Sequence, residues 1–586
     1  MQGTSSTLCK IATIRLSRVF ELQRALWTPL VGGIALGLAF YSDRLSWLAW
    51  IAIVPIAWAL RTPRGSIELY AGIFYGGLAF GLLSLDWVRE SYTSLLGTWL
   101  VSGHFVALMF TTAIWIGRRV VQATSLPMGI VLPLYWTAME WVRWHAAGIA
   151  LNDGFPFLQL GATQAHHLRI IQIADLGGVA AVTFLVASVN GWIYDAAKGT
   201  IAFFRRASDL RAPVISSLLV FGFVGAAMLY GEVRLRTLTF TPGPRVGIVS
   251  GQFGLTSLAN SADRIAEALS EGLQGNAQTG VELGNRLPLP DLLVWKEGAA
   301  SDFYFSDSNF VYSDPPRSEP GEAPLATDST AGRKRLDALA RSLRASLIAG
   351  CMRIEHADER TRKFNSAYFL NKYDGVLDLC DKQHLALWWE YHYDVASILG
   401  LIPATRQTEP DSAFSKARVA ARVLDLPTAA GSYSFATAIC YDVFFPADHR
   451  VLLNTTPDLN CPTFFVGISD ETAENTSSFG RVALALQQFR AIECRRSYVR
   501  NAENGLSAII DGCGRPVPLV KIDVPYGPSV LVGSIPILAG RSFYVRFGEW
   551  LPLLGCAITS VLLGISCLPK RYRLRGENGE QFGNSA

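Results

Sequence analysis

Seven apolar runs crowd the first 235 residues of the chain: Ala25–Tyr41, Leu45–Leu60, Leu69–Leu85, Leu95–Ile116, Leu126–Trp141, Gly177–Ile193 and Pro213–Tyr230. An eighth, Trp550–Leu568, lies near the other end. No other feature limits the possible folds so strongly. Crossing a ~30 Å hydrocarbon core takes about 20 apolar residues in a helix. The shorter runs are extended by flanking Trp and Tyr, which suit the membrane interface. Only 17% of residues are charged, against about 25% in a typical soluble domain. The expectation is a membrane α-helical bundle of about eight transmembrane helices.

The loops between the runs alternate in charge. Lys10, Arg15, Arg18 and Arg24 precede the first run, and Arg61 and Arg64 follow the second. Arg118 and Arg119 follow the fourth, Lys198, Arg205, Arg206 and Arg211 the sixth, and Lys570, Arg571, Arg573 and Arg575 the eighth. The intervening loops hold only Arg44, Arg89, Arg143 and Arg169. Basic loops stay cytoplasmic, so both termini are expected inside and the long segment between runs seven and eight outside. The first run has basic residues before it and no small-residue cleavage site after it, and reads as an uncleaved anchor. The net charge of +4 is too small to argue for a nucleic-acid partner.

Three regions follow: 1–236 with about seven helices, an extracytoplasmic domain at 237–542, and 543–586 with the last helix and a basic tail. In the middle region, strand-like runs rich in Val, Ile, Phe, Tyr and Thr are bounded by turn residues. They are RVGIVSGQ (245–252), DLLVWKE (291–297), SLIAGCMRI (346–354), KFNSAYFL (363–370), SYSFATAIC (432–440), PTFFVGIS (462–469) and LSAIID (506–511). Between them, Ser257–Leu273, Gly332–Ala345 and Phe479–Cys494 carry helical spacing. The result is an α/β domain large enough to fold by itself. Residues Ser301–Thr330, rich in Ser, Asp, Pro and Glu, read as a long loop or lid.

Nine cysteines are scattered through the chain without a CxxC pair, so a zinc site finds no support. Three polar residues fall at or near strand ends: Glu297 closes LLVWKE, Lys382 follows a strand-turn segment, and Cys440 closes SYSFATAIC. Singly, each has a bland alternative: a solvated strand end, a surface lysine and a core cysteine. Together, a base, a cation and a thiol suffice for acyl transfer. A carboxylate can deprotonate the thiol, and a cation stabilises thiolate and oxyanion alike. Spacing alone does not bring them together.

The ordered set VWKE (294–297), DKQHL (381–385) and ATAICYD (436–442) resembles the Glu-Lys-Cys signature of the nitrilase superfamily. Glu390, in KQHLALWWE, sits at the lysine-to-second-glutamate spacing of apolipoprotein N-acyltransferases. NDGFPFLQLGATQ (152–164), IQIADLGGVAAVTFLVASVN (171–190), FRAIECRRSYVRNAENGLSAIIDGCG (489–514) and SFYVRFGEW (542–550) are similar to stretches of the same family, in the same order. The chain departs from the family at Asp442, commonly Glu. It departs again at SGQFGLTSLANSADR (250–264), which lacks an expected Trp, and at SDETAENTSSFG (469–480), usually N-D-W-F-G.

The resemblance implies an extracytoplasmic nitrilase-like α-β-β-α sandwich in the bacterial cytoplasmic (inner) membrane. It implies ping-pong transfer of a fatty acyl chain from a phospholipid, through a thioester on Cys440, to the α-amine of a diacylglyceryl-cysteine lipoprotein. Glu297 would be the base and Lys382 the oxyanion cation. Glu390, Tyr441 and Asp442 would support the site or line the pocket. The partners would be lipid bilayer and lipoprotein, with no cofactor. Two rivals share these features: a membrane-bound amidohydrolase using water as acceptor, and a transporter or receptor with a degenerate nitrilase domain. The eight runs and the motif-like membrane stretches favour lipid handling over a simple tether. Asp86, Glu140 and Asp175 lie near predicted span ends, which disfavours a transport pathway.

Overall fold

A computed structural model of the chain describes residues 2–62, 65–91, 96–150, 154–204, 211–250, 289–299, 304–306, 338, 340–341, 343–357, 360–373, 377–386, 390, 414–455, 461–472, 477–521 and 529–568. The expected helix Ser257–Leu273 lies outside these residues, as does all but 304–306 of Ser301–Thr330 and most of Gly332–Ala345. The chain packs as two units. One comprises Met1–Ala146, Phe157–Val233 and Glu549–Ala586; the other comprises Ala147–Pro156 and Arg234–Gly548.

The first unit is helical: α1 (Gln2–Tyr41), α2 (Val54–Arg61), α3 (Ile67–Ser84), α4 (Leu96–Gln122), α5 (Met128–Ala150), α6 (Val179–Phe204) and α7 (Arg211–Thr237). Among the described residues, seven helical segments are long and apolar enough to cross a membrane, one of them Trp550–Cys567. The run Leu126–Trp141 also folds as a helix, α5, but is not among the seven. Its Glu140 and Arg143 lower its hydropathy, and both are engaged inside the bundle. Glu140 accepts from Trp136 Nε1 (3.0 Å), Leu160 N (2.8 Å) and Thr183 Oγ1 (3.0 Å). Arg143 donates to Phe157 O at 2.8 Å.

The run Leu45–Leu60 is not one smooth helix. A 3₁₀ segment, Asp43–Trp50, gives way to a turn and then to α2. Such a break leaves backbone groups that hydrocarbon cannot satisfy. Asn190 of α6 satisfies them, donating to Ala49 O and accepting from Ile53 N, both at 2.9 Å. Gln164 accepts from Trp50 Nε1 at 2.9 Å. α1 and α3 meet at glycines: a Cβ on Gly33 would lie 2.0 Å from Gly76 O. Close backbone approach of this kind holds helices together in lipid.

The second unit is built on two sheets. One has the order β13-β1-β2-β4-β5-β6, with β3 (Tyr304–Ser306) on β4; the other has the order β12-β11-β10-β9-β8-β7. The first contains β1 (Thr241–Ser250), β2 (Leu292–Trp295), β4 (Ser346–Ala357), β5 (Arg360–Leu370), β6 (Leu377–Asp381) and β13 (Ser529–Ile537). The second contains β7 (Val423–Thr428), β8 (Gly431–Ile439), β9 (Phe464–Asp470), β10 (Ser497–Glu503), β11 (Leu506–Ile510) and β12 (Pro516–Lys521). Side chains alternate across a strand. Val246, Ile248, Val294, Ile348 and Phe369 of one sheet therefore share a core with Phe435, Ile439, Phe464, Val466 and Val499 of the other. The opposite face of the first sheet carries a second cluster, with Val249, Leu293, Trp295 and Leu347 packed on Ala340 and Leu343. Against the second sheet lie α8 (Pro446–Thr455) and α9 (Ser477–Cys494). This is the expected α-β-β-α sandwich. Strands β3, β6, β7, β10, β12 and β13 were not anticipated, and β3 falls in the segment expected to be a loop or lid. The unit ends with the short helix α10 (Phe543–Phe547), and the chain continues into α11 (Trp550–Cys567).

Candidate active site

In parallel sheets, reactive groups gather beyond the carboxyl ends of the strands. β1, β2 and β4 run parallel, as do β8, β9 and β10. Glu297 lies two residues past β2, Cys440 directly follows β8, and Asp470 ends β9. Lys382 directly follows β6, whose antiparallel pairing with β5 turns its exit toward Asn365; Lys382 N donates to Asn365 O at 2.7 Å. Gly350 lets β4 pass under this end: a Cβ there would be 2.5 Å from Glu297 Cα. Asn501 of β10 ties the two sheets together here, donating to Val249 O (2.8 Å) and Val294 O (2.9 Å).

Three of the predicted residues form one buried cluster. Lys382, 2% exposed, places Nζ 2.8 Å from Glu390 Oε2 and 3.2 Å from Glu297 Oε1. Asn365, not among the candidate site residues, bridges the carboxylates. Its Nδ2 donates to Glu297 Oε1 at 2.6 Å and Glu390 Oε1 at 2.8 Å. Asp470 N donates to the other Glu297 oxygen at 2.8 Å, and Ala386 N to Glu390 Oε2 at 2.8 Å. The only hint of Asn365 in the sequence is the polar Asn-Ser pair interrupting KFNSAYFL.

Burial raises the Glu297 carboxyl above its ordinary range, and Glu390 adds to the rise; Lys382 and the hydrogen bonds oppose it. Burial pulls Lys382 the other way, but the Cys440 sulfur, Glu297 and Glu390 together hold it well above the usual lysine value. Lys382 therefore remains an ammonium within electrostatic reach of Cys440.

Cys440 is half-buried and not in a disulfide, at φ +49°. That left-handed conformation is uncommon for a residue with a side chain. It turns the chain out of β8 into a 3₁₀ turn, Cys440–Phe444. Arg490 holds the far end of the turn, donating to Phe444 O at 3.0 Å. Cys351, Cys380 and Cys494 are made poor nucleophiles by burial, because the thiolate is the reactive form. Burial pushes the Cys380 and Cys494 thiols up to about 12 and raises Cys351 further.

Asp442 joins the cysteine turn to the lysine loop. Its carboxylate accepts from Gln383 N (3.1 Å), His384 N (2.7 Å) and Ile439 N (3.2 Å). Burial pushes its pKa up to about 7, against the opposing pull of His384 and Lys382. Tyr441 is buried, donates to Gly154 O at 3.3 Å and packs edge-on to Phe444 and Phe445. His384, quoted within DKQHL but given no role, stacks on Phe445 with ring centroids 3.7 Å apart and pairs with Asp448 at 2.7 Å. In the divergent loop 469–480, Glu471 is buried against Arg500.

A family model, the apolipoprotein N-acyltransferase N-terminal domain, matches residues 32–192. An apolipoprotein N-acyltransferase of Geobacter metallireducens is 28% identical over 552 residues, covering 91% of this chain and 94% of the relative. One of Rhodopirellula baltica is 24% identical, covering 90% and 94%. Among solved structures, an amidase from Nesterenkonia sp. aligns at 14% identity and a TM-score of 0.31, over 51% of this chain and 93% of that one. A carbon-nitrogen hydrolase from Helicobacter pylori G27 aligns at 14% and 0.32, over 50% and 89%. The protein is a multi-pass membrane acyltransferase. Over about nine-tenths of its length it is similar to curated apolipoprotein N-acyltransferases.

Proposed function

We propose that this enzyme moves a fatty acyl chain from a membrane phospholipid to the N-terminal α-amine of a diacylglyceryl-cysteine lipoprotein, with Cys440 as the nucleophile. The observation that carries the residue assignment is the buried Glu297–Lys382–Glu390 cluster in electrostatic reach of a half-buried cysteine. Glu297, its carboxyl made more basic by burial and by Glu390, is suited to general base work. It takes the Sγ proton as sulfur attacks the ester carbonyl. The oxyanion of the tetrahedral adduct is stabilised by Lys382. Collapse breaks the ester C–O bond, Glu297 returns the proton to the departing lysophospholipid oxygen, and an acyl thioester remains on Cys440. In the second half, the lipoprotein α-amine attacks the thioester. Glu297 takes a proton from nitrogen, sulfur leaves as thiolate and is reprotonated, and the product is an amide. Glu390 and Asn365 hold Lys382 and Glu297 in register, Asp442 fixes the lysine loop, and Tyr441 shapes the pocket. No step needs a metal or organic cofactor.

The alternation of basic loops supports a place in the bacterial inner membrane with residues 237–542 on the outer face. Intact mass after incubation with phospholipid tests the first half-reaction. The expected result is one acyl adduct, lost on hydroxylamine treatment and absent from Cys440→Ala. Changing Cys351, Cys380, Cys461, Cys494 or Cys513 to Ala should leave the adduct in place. An adduct that survives in Cys440→Ala would overturn the nucleophile.

A further inference from the structure

Within the helical unit lies a cavity of about 510 Å³, bounded by α1, α3, α4, α5 and α11. Met109, Phe110, Ala113, Ala138, Met139 and Cys556 are among its lining. The charged and phenolic groups at its wall are turned to protein partners. Tyr135 Oη donates to Ala113 O, Glu140 is held by Trp136, Leu160 N and Thr183, and Arg143 donates to Phe157 O and Leu158 O. Thr112, Thr559 and Ser560 add three hydroxyls to the wall, and the rest of what an occupant meets is methyl, methylene, sulfur and ring surface. A buried water needs two to four polar partners, so a string of waters has little to hold it here. An empty space of this size would forfeit the contacts of every side chain around it.

The position of the mouth says what enters. Leu108 and Val142 line the cavity and are 59% and 50% exposed. Leu108 lies near the middle of α4, a 27-residue helix long and apolar enough to span the bilayer. An opening halfway along a spanning helix faces hydrocarbon rather than water or headgroups. The molecules at that depth are lipid tails. We propose that one acyl chain of a bilayer phospholipid enters between α4 and α5 and rests against α11 as a bound lipid, distinct from the lipid that merely surrounds the protein. The site lies wholly in the helical unit and does not depend on chemistry at Cys440.

The test uses the full-length Cys440→Ala chain in nanodiscs, so that turnover cannot deliver the label. The probe is a phosphatidylethanolamine with a diazirine near the methyl end of one chain; a free fatty acid with the same diazirine forms a parallel arm. After irradiation, peptide mapping should find adducts at Met139 and Cys556 in the cavity and at outward-facing Leu218 and Val561. Ala113→Phe should lower labelling at Met139 and Cys556 about tenfold, the change that follows from losing ~1.4 kcal/mol of binding. Labelling at Leu218 and Val561 should be unchanged, which also reports that the helices are intact. Native mass spectrometry of the unsubstituted chain should show one retained phospholipid. Absence of both the cavity adducts and the retained lipid overturns the proposal, as does cavity labelling that ignores Ala113→Phe. Labelling by the free fatty acid alone would overturn the phospholipid assignment.

Discussion

At 2% exposure Lys382 has almost no route to water, so its ammonium depends on what surrounds it. Two carboxylates and a sulfur supply that stabilisation. Lys382→Met keeps the length and removes the charge. Single-turnover acylation should slow by at least the ~10²–10³-fold typical of losing one oxyanion donor, and alkylation of Cys440 should require higher pH. Normal acylation with an unchanged alkylation profile would remove Lys382 from the chemistry. Asp442 gives a pH signature of another kind. Its folded pKa of about 7 lies above the unfolded carboxylate value of about 4. Native Asp442 therefore holds a proton that the unfolded chain releases between those values. Its contribution to stability is fullest below about 4 and declines as pH rises toward 7. The melting temperature of the protein relative to Asp442→Asn should fall across that window. A constant difference would show that burial does not set this carboxyl. The residues bearing charge or sulfur were legible in the sequence because their types announce chemistry. Asn365 was not, since an amide in a strand has no signature until two carboxylates arrive beside it.

Among the elements, long uniform patterns were read most reliably. β2, β4, β5, β8 and β9 carry continuous or alternating apolar residues, and each lies where expected. β10 was hidden by its own chemistry. SYVRNAE is buried throughout, yet Arg500, Asn501 and Glu503 make it look like a loop. Each is matched across the fold: Arg500 with Glu471 and Gln487, Asn501 with two carbonyls of the facing sheet, and Glu503 with Lys296. Those partners are distant in sequence and invisible to a local reading. The interrupted second span has the same origin, since the hydropathy of 45–60 gives no sign that Asn190 will complete its backbone. Asn190→Leu should therefore destabilise the helical unit despite being more apolar. Leaving Ile53 N–H and Ala49 C=O unsatisfied should cost ~1–3 kcal/mol each, read as a lower melting temperature in detergent. An unchanged or higher value would mean that the break is satisfied in another way.

For the molecule as a whole, composition and charge alternation predicted a helical membrane part and a separate α/β part before any side chain was placed. The proposed orientation carries its own test. A phosphatase reporter inserted at Gly332 should be active, and one placed after Arg575 inactive; the reverse would also remove access to substrates on the outer face. One feature of the catalytic sheets bears on how the enzyme is made. β1 pairs with β13 from Thr241↔Ile537 to Ser250↔Ser529, so the first strand of this unit is bordered by the last. At ~5–20 residues per second of synthesis, β1 waits tens of seconds for its neighbour. During that interval one edge of the sheet is open to strangers. A ribosome that stalls before residue 529 releases a chain with all three of Glu297, Lys382 and Cys440 but an unfinished sheet. Biosynthesis itself thus becomes a checkpoint, and acquisition of enzymatic competence coincides with delivery of the final strand.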